Sequence, residues 1–139
     1  MDIINTNQIA EFILRTFCGV IFLYQGYDKL FKVKISGVTE AFQVNAEKNN
    51  IPQFILKLSA VYTSVVEFFG GLLLILGLFK TYALAFLGLD LLLVGIAFSM
   101  LEPVWDMRHV FPRLIMVVSL LMMPQEWELI SIDHLLKSQ

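Results

Sequence analysis

Four ionisable side chains, Arg15, Glu67, Asp90 and Arg113, stand inside stretches that are otherwise apolar, and Gln25 is a neutral fifth. Charge within an apolar span is costly, so such groups face a bundle interior or a cavity. Two acids and two bases balance, as a nonpolar medium demands. Two chemistries fit this set. In one, the ion pairs fix helix order and register and nothing is bound. In the other, they line a pocket for a polar headgroup, a quinone or a proton. Other reactive groups are sparse. Cys18 is the only cysteine, which excludes an intramolecular disulfide. It lies inside a hydrophobic span, where a thiol acts as a small apolar residue. His109 and His134 share no ligand spacing with cysteine or glutamate, so no metal site is expected. The chain has no serine nucleophile motif, Gly-rich phosphate loop or CxxC.

The elements that must shelter these charges follow from composition. Of 139 residues, 58% are hydrophobic and 16% charged, against about 45–50% and about 25% in a soluble domain. Mean hydropathy is +0.74. Lipid must therefore cover much of the chain, and the length suits a single domain over residues 1–139. Net charge is −2, with neither a basic block nor an acidic tail. Nothing invites nucleic acid. No Lys or Arg precedes Arg15, so the start Met1-Asp2 lacks the positive region of a signal peptide and the first apolar segment is expected to remain.

A membrane-crossing helix needs about 20 apolar residues. Four segments approach this: Ile9 to Leu30, Phe54 to Phe79, Tyr82 to Leu101 and Met107 to Met123. The last is short and contains Pro112. Lys80 and Thr81 join the second and third in a tight hairpin. The long connection from Phe31 to Gln53 places Val38, Phe42 and Ala46 on one helical face and predicts a short amphipathic helix on the membrane surface. The expected fold is an all-α, integral membrane four-helix bundle with that interfacial helix between helices 1 and 2. Tyr24, Tyr27, Tyr82, Trp105 and Trp127 stand where aromatic belts belong.

With the N-terminus on side A, a rise of about 1.5 Å per residue puts Arg15 about 9 Å and Asp90 about 12 Å below that side. Glu67 lies about 18 Å deep, and Arg113 and Gln25 about 21–24 Å. Two layers are expected: Arg15 with Asp90, and Glu67 with Arg113 and Gln25. The swap of Arg15 onto Glu67 is the alternative. Arg15, Gly19, Phe22, Gly26 and Lys29 share one face of the first span. Ser59, Thr63, Glu67 and Gly71 repeat every four residues in the second, a small-residue interface, and Gly70 adjoins it. Lys29, Lys32, Lys34, Lys48, Lys57 and Arg108 lie towards side B, against Lys80 and Lys137 towards side A. The positive-inside rule then puts side B in the cytoplasm and both termini outside.

The run LRTFCGVIFLYQGYDKLF, the NNIPQF that ends the connection, and VVEFFGGLLLILGLFKTYAL resemble the DoxX family of small four-helix membrane proteins. The features that carry the resemblance map onto Arg15, Gly26, Lys29, Leu30, Glu67, Gly70, Gly71, Gly77 and Leu78. Ser131 to Asp133 is similar to the family's S-L-D after its fourth helix. The fourth span departs from the pattern, with Pro112, Arg113 and no Gly-Pro-Gly before the tail. The resemblance implies a bacterial inner-membrane subunit or accessory protein, partnered by another membrane protein or a second copy and close to redox or quinone chemistry. No cofactor follows from the residues themselves; quinone enters only through the resemblance. Thiol exchange needs a second sulfur, which is absent. A lipid or quinone binder using the charged layer is the alternative. A quinone-linked oxidoreductase subunit is a third reading, by family analogy alone.

Overall fold

The computed structural model describes residues 5–101 and 104–137, and the side chains of 104–106 and 137 lie outside that description. The readings made for Met1, Asp2 and the side chains of Trp105 and Lys137 therefore fall outside the described residues. The described chain is helical throughout: α1 (Thr6–Tyr27), a π turn (Asp28–Lys32), α2 (Lys34–Lys48), α3 (Gln53–Leu76), α4 (Lys80–Leu101), a 3-10 turn (Val104–His109), α5 (Val110–Met122), a second 3-10 turn (Gln125–Trp127) and α6 (Ile132–Lys137). Three segments are long and apolar enough to cross a membrane: Thr6–Lys32, Gln53–Leu76 and Lys80–Leu101. The expected fourth span is shorter than those three. It begins with the 3-10 turn, and α5 itself has 13 residues. Pro112 falls in its first turn, where a missing N–H costs no helical hydrogen bond.

Each boundary has a local cause. The backbone N–H of Asn5 donates to Gln8 Oε1 at 2.8 Å as α1 begins. Gly77 closes α3 with φ 62°, a conformation that other L-residues adopt at a cost. Its N–H donates to the Leu74 carbonyl at 3.1 Å and that of Leu78 to Leu73 at 2.9 Å, the crossed pair of a Schellman motif. The hairpin is thus Gly77 to Phe79, three residues earlier than the predicted end of the span, and Lys80 opens α4. The long connection forms α2 as expected. Ala46 is buried and Val38 and Phe42 half-buried, with the Phe42 ring edge-on to Phe98 of α4 at 5.7 Å.

Helices α1, α3, α4 and α5 pack in a ring, α1 on α3, α3 on α4, α4 on α5 and α5 on α1. Their shared core holds Cys18, Phe22, Leu74, Leu87, Leu91 and Val117. Large apolar side chains such as Phe17, Phe54, Phe86 and Met122 point outward, the reverse of a water-soluble protein and the arrangement lipid requires. The tightest seam runs between α1 and α3. A methyl group on Gly19 would lie 2.8 Å from the Gly71 carbonyl oxygen, and one on Gly26 or Gly71 would overlap the facing backbone at Phe68 or Leu23. Gly70 turns instead to Leu87 of α4. Adjacent glycines thus serve two different interfaces.

One expectation about faces needs correction. The buried face of α3 is Ala60, Ser64, Glu67, Gly70, Gly71 and Leu74, while Ser59 is exposed and Thr63 half-buried. A strict every-four ladder drifts about 40° per step on a helix of 3.6 residues per turn. Three steps up from Gly71, Ser59 has left the seam. The α1–α3 contact predicts that Gly71→Ala costs about 1–3 kcal/mol through overpacking. Gly88→Ala, whose added methyl would meet Val117 at 3.5 Å, should stay within about 0.5 kcal/mol. Unfolding by SDS titration in mixed micelles measures both.

Candidate functional site

The buried charges fall into two layers, with a membership that differs from the predicted one. At side A, Glu11 and Arg15 stand one turn apart on α1 and are both fully buried. Arg15 Nε donates to Glu11 Oε1 at 3.1 Å, and Lys80 Nζ donates to the same oxygen at 2.9 Å. Glu128 Oε2 lies 3.6 Å from Lys80 Nζ. Burial pushes the Glu128 carboxyl above its ordinary range, and Lys80 partly offsets that. Two acids again meet two bases.

The predicted pairing of Arg15 with Asp90 does not occur, for reasons of register. Gly19 lies against Gly71, so in the antiparallel α1–α3 pair Arg15 falls level with the end of α3. The last carbonyls of a helix have no partner within it and carry partial negative charge. The guanidinium answers them: Nη1 donates to the Leu74 and Ile75 carbonyls, and Nη2 to that of Ile130. Arg15 is in effect a C-terminal cap of α3 supplied by α1. The tail then locks onto the same turn. The Asp133 N–H donates to the Gly77 carbonyl at 3.0 Å, and Asp133 Oδ2 faces the first N–H of α4 at Lys80, 3.4 Å away.

The middle layer gathers Gln25, Lys29, Glu67, Asp90 and Arg113. Arg113 Nη1 donates to Gln25 Oε1 and lies 3.5 Å from Glu67 Oε1, as predicted. Its Nε donates to the His109 carbonyl one turn back at 2.7 Å, and its guanidinium lies 5.9 Å from the centre of the Phe22 ring. Lys29 was not predicted here. It reaches from the π turn to Glu67 Oε2 at 2.6 Å. Asp90 joins this layer because α3 ends at Leu76 and α4 starts at Lys80. Counted from those ends, Glu67 and Asp90 lie about 14 Å and about 15 Å deep. Asp90 is fully buried, within electrostatic reach of Glu67, Lys29 and Arg113 and beside Thr63. Among the described residues neither of its oxygens has a hydrogen-bond partner of good geometry.

Sequence reasoning missed Glu11, Lys29, Lys80 and Glu128. Glu11 precedes Arg15 by four residues, the spacing of a helical ion pair, so its signal was present. Lys29 lay on the correct face but near the end of its span. The roles of Lys80 and Glu128 depend on the tertiary fold. Cys18 is buried in the core, and His109 and His134 are exposed. No cluster of three His, Cys, Asp or Glu suited to a metal occurs among the described residues. A groove of about 340 Å³ runs between α4 and α5, lined by Leu91, Gly95, Ser99, Met107, Val110 and Leu114 among others. None of the charged side chains lines it.

The middle layer, the glycine seam and the Gly77 turn all lie on segments that a family model for DoxX matches, over residues 10–100, except for Arg113. The chain belongs to the DoxX family. The DoxX match takes in Arg15, Lys29, Glu67 and Asp90, and stops before α5. Each DoxX-region layer is therefore completed from outside it, by Arg113 in the middle and Glu128 at side A. No curated protein matches the chain, and no solved structure does.

The side-A layer makes a sharp mutational prediction. Arg15→Leu leaves Glu11 with Lys80 alone and strips donors from three carbonyls. It should cost about 3–5 kcal/mol, as breaking a buried ion pair does. Arg15→Lys should recover part of this, because an ammonium restores charge without the planar fork. SDS unfolding midpoints order the three proteins; a wild-type midpoint for Arg15→Leu would contradict the capping role.

Proposed function

We propose that this DoxX-family chain is a non-catalytic membrane subunit or accessory protein of a bacterial inner-membrane complex linked to redox or quinone metabolism. The observation that supports this reading is the closure of Glu67. Its two carboxylate oxygens face Lys29 and Arg113 from different elements, so this buried charge is committed to holding helices together. The side-A layer is committed in the same way through Glu11.

In this reading α1, α3, α4 and α5 form a four-helix transmembrane bundle. The helix α5 with its preceding 3-10 turn covers about 32 Å, enough for a hydrocarbon core of about 30 Å. The helix α2 lies along the interface. Side B is cytoplasmic: Lys32, Lys34, Lys48, Lys57 and Arg108 are exposed there, whereas Lys80 at side A is buried on Glu11. Cys18 is buried, so added cysteines report orientation cleanly. Lys34→Cys should be shielded from a membrane-impermeant maleimide in intact cells and Gln125→Cys labelled; the opposite pattern reverses the topology.

A second reading has one observation in its favour. Asp90 has no hydrogen bond of good geometry among the described residues, so a lipid or quinone headgroup could supply one in the middle layer. Purification in mild detergent followed by native mass spectrometry separates the two. The accessory role predicts a co-purifying membrane protein or a second copy, and no quinol oxidation by the isolated chain. Quinone-dependent oxidation by the pure protein defeats it. A retained lipid or quinone that is lost in Glu67→Ala supports ligand binding instead.

A further inference from the structure

Glu67 and Asp90 lie at one depth, but only Glu67 is answered. Lys29 takes Glu67 Oε2 and Arg113 faces Oε1. Asp90 is 0% exposed, and among the described residues neither oxygen has a hydrogen bond of good geometry, the Thr63 hydroxyl lying alongside. Thr63 Oγ1 beside it is also buried and without a partner there. The groups that face Asp90 are Tyr62, Thr63 and Glu67 from α3, Lys29 from the π turn and Arg113 from α5. Both cations are already engaged: Lys29 on Glu67, and Arg113 on Gln25, Glu67 and the His109 carbonyl.

An ionised carboxylate in this position is shut away from solvent and has no cation of its own, with only the Thr63 hydroxyl alongside to help it. A buried charge left in that state neutralises instead. Adding a proton removes the charge and turns the group into an O–H donor, for which a hydroxyl oxygen is a suitable acceptor. Thr63 offers one. The neighbouring Glu67 differs only in having cations on both oxygens, and that difference assigns the two roles. We propose that Asp90, supported by Thr63, is a proton-binding site within the bundle. The step is H⁺ plus carboxylate giving carboxylic acid, with no electron transferred. Uptake changes the formal charge of the middle layer from zero to +1, since Lys29 and Arg113 then oppose Glu67 alone.

Infrared spectroscopy of the full chain in lipid vesicles tests this directly. As the medium is acidified from mildly alkaline pH, the wild type should gain a protonated carboxyl stretch that shifts in D₂O. The band should be lost in Asp90→Asn and retained in Glu126→Gln, a control at an exposed position. The second readout is stability, because an amide closely mimics a protonated acid. Asp90→Asn should unfold at the wild-type SDS fraction, and Glu67→Gln at a lower one. Absence of the band from the wild type, or its persistence in Asp90→Asn, overturns the proposal. So does an Asp90→Asn protein that misfolds or is as weakened as Glu67→Gln, since that marks an ionised, paired carboxylate. Neither readout needs a partner or a ligand, so the result stands apart from the accessory role proposed above.

Discussion

Charge that cannot reach water must meet opposite charge or be neutralised, and the arrangement of this chain depends on that constraint at Glu67. Its carboxylate lies in the interior of the bundle, 1% exposed. Lys29 reaches it from the end of the first helical segment and Arg113 from α5. Removing either partner leaves one Glu67 oxygen unanswered inside the bundle, which costs far more than an exposed pair is worth. The interaction therefore does more to specify which helices are neighbours than to add stability. Three elements far apart in sequence become mutually dependent through one side chain.

Close backbone contact makes this possible. Gly19, Gly26 and Gly71 let α1 and α3 approach to within contact of each other's main chains. In lipid no hydrophobic force brings helices together, so such small-residue contact must supply much of the association. The same seam sets the register that lifts Arg15 to the end of α3. There the guanidinium meets helix carbonyls and Glu11 at once. The π turn after Tyr27 widens the helix where Lys29 must swing towards Glu67. Packing, register and charge pairing are thus one problem solved together, and the α5 and tail segments complete it by adding Arg113, Glu128 and the Asp133 contact.

Much of this was legible in the residues. Apolar runs of about 20 residues located the three long helices. The meeting of Gln25, Glu67 and Arg113 followed from depth alone. The alternation of Val38, Phe42 and Ala46 identified α2 and the face it turns inward. Asp90 was recognised as an inward group but assigned to the wrong layer. Small errors in where two helices end, three residues at Phe79 and two at Tyr82, were enough to move it. At about 1.5 Å per residue the two shifts together come to about 7.5 Å, more than the roughly 6 Å between the depths expected for Asp90 and Glu67.

The chain's chemistry by itself determined that it must live in lipid, that its charges must turn inward and that acids and bases must balance. Those conclusions depend on residue type and on periodicity, both of which are local. Which acid meets which base was decided only by tertiary structure. Arg15 could have reached Asp90 or Glu67 on depth, and it binds Glu11 and the end of α3 because the glycine seam fixes the offset between two helices. Lys80 and Glu128 become partners because the tail returns to the Gly77 turn. Asp90 remains without a cation of its own because Lys29 and Arg113 are held by other groups, and no property of its own sequence neighbourhood records that.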